Sequence, residues 1–422
     1  MLQRTIYSKI GFRMPSSLWL TQNLKFSSII DDEKKNITDQ LKENPLDSNS
    51  REEVNIQNER REDISELLSN AATYDDLKDK TWATTPYPAG GPTSPELEMI
   101  EKKVIKPAVT DNTIFLFPGQ GTLKVGLAKK YMKFPRAKEL YDMASEILEY
   151  DLLDLCLNGP QEKLDQTLYN QPATVVTSLA ALERVREERP KTFDTCRGAA
   201  GYSLGEITAL IFAGTISFEQ GIRLVAVRAA AMQVASNQAA QGMLSLYCRP
   251  DAQLSFALKQ AKEWAMNNGI ERPVCQVAIY LYTQSKVIGG HDEALKYIEA
   301  NSEKFGLIKL QRLPVSGAFH TPLMEPAMIP FHKILDATNI KDPKIFIYSN
   351  INAKPYYGSK LIKKALLKQL VVPVRWEQCM HKIYARKEGT NFPRTMDIGS
   401  QGRMKLLLKA VNSKAADACI CA

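Results

Sequence analysis

Long apolar runs are missing from this 422-residue chain, so no transmembrane segment is expected. Seven cysteines form no CxxC pair, which argues against a zinc site or other bound metal and against a disulfide framework. A reducing compartment fits best. Histidine is scarce: only His291, His320, His332 and His381 are present, so a reaction that needs an imidazole has four candidates. Acids are absent before Asp31, while Arg4, Lys9, Arg13 and Lys25 stand among serines and threonines, the composition of an amphipathic mitochondrial transit peptide over residues 1–30. The expected address is the mitochondrial matrix.

With 44% apolar and 24% charged residues, the chain is an ordinary globular protein able to bury a large core. Residues 31–110 depart from that average. They hold 18 acids against 11 bases, few aromatics and a Pro/Gly/Thr cluster at 84–94, and are read as a polar, flexible extension. The leader contributes +4 and this extension −7 to a total of +8, which leaves +11 on residues 111–422. Such a basic surface suits nucleic acid, an anionic lipid face or an acidic carrier protein, and charge alone does not choose among them.

From residue 111 onward, apolar strands alternate with helical stretches, the pattern of a parallel α/β sheet. The rhythm breaks at 242–313. There the order reads strand 243–248, helix 251–266, strand 274–281, strand 286–289, helix 292–305 and strand 307–313, a β-α-β-β-α-β ferredoxin-like unit inserted as a small subdomain. Residues 111–241 and 314–414 then form the large domain, and a cleft between the two is the natural ligand site. No internal repeat is visible. The last residues, 415–422, are read as a disordered tail; Cys419-Ile420-Cys421-Ala422 has the outline of a prenylation box, but Cys421 is not aliphatic and no polybasic stretch precedes it.

The sharpest local signal is Gly201-Tyr202-Ser203-Leu204-Gly205-Glu206. Small and apolar residues lead in and a helical pattern leads out, so the serine sits on a sharp strand-to-helix turn that glycines on both sides allow. A serine nucleophile needs a base. His320, in Ser316-Gly317-Ala318-Phe319-His320-Thr321-Pro322, lies on a loop at a domain junction, whereas His332 and His381 sit in helical patterns and His291 opens a helix.

Together with Phe117-Pro118-Gly119-Gln120-Gly121, Asn170-Gln171-Pro172-Ala173, Arg228-Ala229-Ala230-Ala231-Met232-Gln233 and Gly242-Met243, these segments resemble the malonyl-CoA:acyl carrier protein transacylases, specifically their animal mitochondrial form. The similarity runs in order over residues 111–411. It implies a large α/β-hydrolase-like domain with a parallel sheet and an inserted ferredoxin-like subdomain. Ser203 would be the nucleophile and His320 its base, oriented by a backbone carbonyl near Gln369 instead of by an acid. The backbone N–H groups of Gln120 and Leu204 would form the oxyanion hole. Arg228, bordering the apolar stripe Ile222, Val225, Ala226, Ala229 and Met232 of its helix, would bind the malonyl carboxylate, with Arg223 and Lys124 as lesser rivals. Gln171 would line the acyl site, or simply serve a capping or turn role beside Pro172.

The resemblance further implies malonyl-CoA as substrate, CoA as product, no permanently bound cofactor, and mitochondrial acyl carrier protein as partner, with nucleic acid not expected. The pathway would be mitochondrial type II fatty acid synthesis. Three departures touch secondary substrate contacts: Tyr202 where bacterial members have histidine, Ile279 where an asparagine is frequent, and a longer turn at Asp397-Ile398-Gly399-Ser400-Gln401-Gly402. Two competing readings are a serine esterase or thioesterase, against which stands the lack of an HGGG-type segment, and a non-catalytic mitochondrial adaptor, which would need none of these residues.

Overall fold

The computed structural model describes residues 112–422, with residue 388 excepted; the expected leader and extension lie outside the described residues. β1 (Thr113–Phe117) is buried along its whole length, as befits a central parallel strand covered on both faces. Helices α1 (Pro135–Leu148) and α2 (Thr167–Glu188) follow, the first with proline at its start, where the missing N–H costs nothing. β2 (Cys196–Gly201), α3 (Gly205–Phe212) and α4 (Phe218–Ser236) complete this half, and the Ser217 hydroxyl caps α4 by accepting from Gln220 N at 3.3 Å.

Residues 241–312 fold as β3 (Gln241–Cys248), α5 (Leu254–Asn267), β4 (Cys275–Tyr282), β5 (Ser285–His291), α6 (Asp292–Asn301) and β6 (Leu307–Arg312). The chain returns through α7 (Glu325–Ala337), β7 (Phe346–Tyr348), α8 (Ser359–Gln369), β8 (Val374–Arg375), α9 (Trp376–Tyr384), β9 (Arg394–Asp397), α10 (Arg403–Val411), α11 (Ser413–Asp417) and β10 (Cys419–Cys421).

Two five-stranded sheets result. The first has the order β10-β9-β1-β2-β7 with every pairing parallel. Its register sets Phe117 opposite Gly201 and Leu116 opposite Asp397, so the turns that leave β1, β2 and β9 emerge at one edge. That carboxyl edge is where α/β sheets bind ligands. The second has the order β6-β3-β5-β4-β8, antiparallel except for the last pair.

The antiparallel sheet is apolar on both faces, and neighbouring residues divide between two cores as the two-residue strand period requires. Leu244, Leu246 and Ile288 pack beneath α5 and α6 with Ala257, Ala261, Leu295 and Ile298. Met243, Ile279 and Val287 face the other way and join the main core with Phe115 and Phe117. The short β8 pairs with β4 through Ile279 opposite Val374, so the returning chain is hydrogen-bonded to the second sheet. A two-residue strand is too short to show periodicity, and nothing in the sequence announces it.

The expectation of a disordered tail over 415–422 is corrected. Asn412 caps α11, its side chain accepting from Ala415 N at 3.0 Å, and β10 pairs with β9 in parallel, setting Ile420 opposite Met396 and Cys421 opposite Asp397. Three residues carry too little pattern to read as a strand. The free edge of β9 supplies the backbone partners that decide it.

Candidate active site

The turn after β2 is built on two glycines. A Cβ on Gly201 would lie 1.8 Å from the Gly205 carbonyl carbon, and one on Gly205 would lie 2.4 Å from Phe117 O, so a side chain at 201 would force the turn itself open and one at 205 would push it away from β1. Ser203 between them takes the left-handed conformation, φ 53°, a strained state for a non-glycine residue. Asn350, just past β7, holds the strain in place: its Oδ1 accepts from Ser203 N at 2.7 Å and its Nδ2 donates to Gly201 O at 2.8 Å.

Ser203 Oγ and His320 Nε2 lie 2.7 Å apart, and His320 Nδ1 lies 2.7 Å from Gln369 O. A carbonyl oxygen only accepts, so the proton sits on Nδ1, Nε2 carries the lone pair, and the serine hydroxyl donates to it. His320 is itself at φ 62° and fully enclosed. Burial, and next the Arg228 charge, push its pKa down to about 3, against a smaller upward pull from the Gln369 carbonyl. Both effects favour the neutral imidazole, whose Nε2 lone pair faces the serine hydroxyl.

Arg228 projects from α4 into the same enclosure and is 2% exposed. Its Nη1 donates to Gln171 Oε1 at 2.7 Å, and its Nη2 to Gln369 Oε1 at 3.1 Å and to Ser203 Oγ at 3.4 Å. Burial lowers its pKa to about 10, which leaves it charged at neutral pH. Gln171, inside the second turn of α2, also donates through Nε2 to Gln120 Oε1 at 3.4 Å, and Gln120 Nε2 reaches Thr167 Oγ1 at 3.1 Å. Among the described residues no hydrogen bond is made by the backbone N–H groups of Gln120 and Leu204.

The structure thus brings Ser203, His320, Arg228, Gln171, Gln369 and Gln120 into one hydrogen-bonded group, with Leu204 adjoining the serine. The lesser rivals lie elsewhere: Arg223 pairs with Glu219 at 2.8 Å on the surface and Lys124 is exposed. The other histidines are engaged too, His291 Nδ1 accepting from Val274 N and His332 meeting Asp336 at 3.0 Å. Tyr202 packs edge-on against Trp376, with ring centres 5.5 Å apart.

Sequence reasoning missed the polar floor beneath the serine. Glu206, 1% exposed, accepts from Gln369 Nε2 at 2.6 Å, from Asn350 N at 3.2 Å and from the Tyr356 hydroxyl. Burial pushes its pKa up to about 7 while these donors and Arg228 pull it down. The motif already contained this acid, but an acid opening the apolar helix α3 reads as an ordinary first-turn residue. Asn350 and Tyr356 carry no sequence signal at all.

Comparison with known proteins follows the same residues. Residues 114–392 match the family model described as the acyl transferase domain. The probable mitochondrial malonyl-CoA-acyl carrier protein transacylase of Drosophila melanogaster is 48% identical over 323 residues, covering 76% of this chain and 85% of the relative. The human mitochondrial malonyl-CoA-acyl carrier protein transacylase is 46% identical over 303 residues, 72% of this chain and 78% of its own. Among solved structures, that of the malonyl CoA-acyl carrier protein transacylase from Coxiella burnetii superposes with a TM-score of 0.65 at 31% identity, over 73% of this chain and 93% of that one. On these similarities the chain belongs to the acyl transferase domain family, within its malonyl-CoA-acyl carrier protein transacylases of mitochondrial type.

Proposed function

We propose that this protein transfers the malonyl group from malonyl-CoA to the phosphopantetheine thiol of acyl carrier protein through a malonyl-serine intermediate, in mitochondrial type II fatty acid synthesis within the matrix. The observation that carries the reading is the buried Arg228 guanidinium 3.4 Å from Ser203 Oγ. A malonyl group has one methylene between its thioester carbonyl and its carboxylate, so an acyl group attached to Ser203 brings its carboxylate within reach of that cation.

In the first half-reaction Ser203 Oγ attacks the thioester carbonyl while His320 Nε2 takes its proton. The backbone N–H groups of Gln120 and Leu204 hold the carbonyl oxygen as it becomes negative, an effect worth on the order of 3 kcal/mol per donor. Collapse of the intermediate breaks the carbon–sulfur bond, and the CoA sulfur leaves with the proton from His320. The carrier thiol then gives its proton to His320 and attacks the ester, restoring Ser203. The Gln369 carbonyl keeps the imidazole in the required tautomer, Gln171 steadies Arg228, and no bound cofactor takes part.

The basic charge of residues 111–422 suits an acidic carrier. Residues 111–241 and 314–414 make up an α/β-hydrolase-like large domain whose sheet the C-terminal strand extends, and residues 242–313 a ferredoxin-like subdomain; the strand orders and the mixed α/β architecture support this partition. Incubation with malonyl-CoA adds a malonyl mass to the peptide containing Ser203, and purified acyl carrier protein removes it. Rapid loss of that mass to water without carrier would mark a hydrolase instead.

A further inference from the structure

We infer that Glu206 and the side-chain amide of Gln369 form a positioning pair that sets the preference for carboxylate-bearing acyl groups, by deciding which end of the amide faces Arg228. The inference rests on the reading of Arg228 as the carboxylate's partner. Glu206 Oε2 already accepts from the Asn350 backbone N–H at 3.2 Å, so in either protonation state it faces the nitrogen of the Gln369 amide, at 2.6 Å. The same nitrogen donates to Ser203 O at 3.1 Å. The oxygen of the amide must then point the other way, onto Arg228 Nη2 at 3.1 Å.

The reversed amide fails at every contact. Its nitrogen would meet the guanidinium, donor against donor, and its oxygen would meet both the Glu206 carboxylate and the Ser203 carbonyl, acceptor against acceptor. Unmatched buried polar groups of this kind are costly. Glu206 is held to its task by two further donors, Asn350 N at 3.2 Å and the Tyr356 hydroxyl. Arg228 thus stands between two amide oxygens, those of Gln171 and Gln369, and Glu206 acts on it through the intervening amide.

Gln369 also divides its work by atom. Its backbone carbonyl receives His320 Nδ1, whereas its side chain serves Arg228. Replacing the side chain leaves the carbonyl that supports the base in place and removes the amide's contacts to Arg228, Glu206 and Ser203 O; the loss at Ser203 falls on every acyl group alike, so the substrate ratio isolates the support of the cation.

The test uses the full-length protein and single-turnover acylation of Ser203 by malonyl-CoA and by acetyl-CoA, which lacks the carboxylate. In Gln369→Leu the malonyl-to-acetyl rate ratio is expected to fall about tenfold, the size expected for losing one hydrogen bond to a charged group, with any effect of the lost Ser203 contact falling on both substrates alike. Glu206→Gln keeps volume and bonding capacity but lets either end of its amide face Gln369, so a fall of about threefold is expected. Circular dichroism reports folding, and if Gln369→Leu does not fold, the Glu206→Gln ratio decides. Equal losses for both substrates, or an unchanged ratio, overturn the inference. Arg228→Met separates the two claims: if it leaves the ratio unchanged, the selector reading itself fails, and if it collapses the ratio while the other two variants do not, only the positioning pair fails.

Discussion

Two strand-to-helix turns flank β1 at the carboxyl edge of the parallel sheet, one from β2 into α3 and one from β9 into α10, and each buries an acid. Asp397, fully buried, receives Lys405 N at 3.1 Å and the Ser400 hydroxyl, whose oxygen in turn accepts from Met404 N at 3.0 Å. Those partners belong to its own turn and to the first turn of α10. Glu206 instead receives groups from distant parts of the chain, two of them side chains. Burial raises the pKa of both acids. The donors make the difference: Asp397 is held chiefly by its own turn and the first turn of α10, with the Cys421 thiol meeting it from outside them at 3.9 Å, whereas side chains from distant elements meet Glu206 beneath the serine.

The comparison breaks most visibly at the first turn. Ser203→Ala is expected to lower malonyl transfer by about four orders of magnitude, leaving only what binding and the oxyanion donors supply, as followed by label transfer to carrier. Next in size, Arg228→Met should cost malonyl transfer about a hundredfold and acetyl transfer only a few fold, since one substrate loses a charge-assisted contact and the other never had it. Comparable losses for both would return Arg228 to a structural role.

At the second turn the outcome should invert. Asp397→Ala is expected to lower unfolding free energy by about 2 kcal/mol, as loss of a buried cap does, with the malonyl-to-acetyl ratio unchanged. Urea titration and the two-substrate assay check both halves. A shift in the ratio would mean that the two acids are not separated in function.

The smallest effects are those of pH. His320 is held well below its ordinary 6.5, so the acid limb of kcat/KM should lie below that value, and Arg228→Met, by removing the second cause, should move it upward. Glu206 holds its proton more tightly folded than unfolded. Stability from this group is therefore lost as pH rises from its ordinary 4.5 through about 7, and Glu206→Gln should flatten that slope in urea midpoints. A parallel slope in the variant would assign the dependence to other groups.

Much of the site was legible because its parts are local. The glycines at 201 and 205 are needed by a turn six residues long, and a scarce histidine beside small residues stands out. The polar floor was not legible, since Glu206 meets Asn350, Tyr356 and Gln369 across 144, 150 and 163 residues of chain. Gln171 shows the middle case. Its motif pointed to the acyl site, but only packing decided that its oxygen faces Arg228 within α2 instead of serving a turn beside Pro172.

The sequence by itself determined the alternation of strands and helices, the sharp turn carrying Ser203, the basic character of residues 111–422 and the family, because periodicity, glycine geometry and charge are properties of neighbouring residues. Tertiary structure alone decided that the neutral form of His320 is favoured, that the Gln369 amide points its oxygen at Arg228, and that the last residues form a strand on β9. Each of these depends on solvent being excluded or on a donor meeting an acceptor from far along the chain.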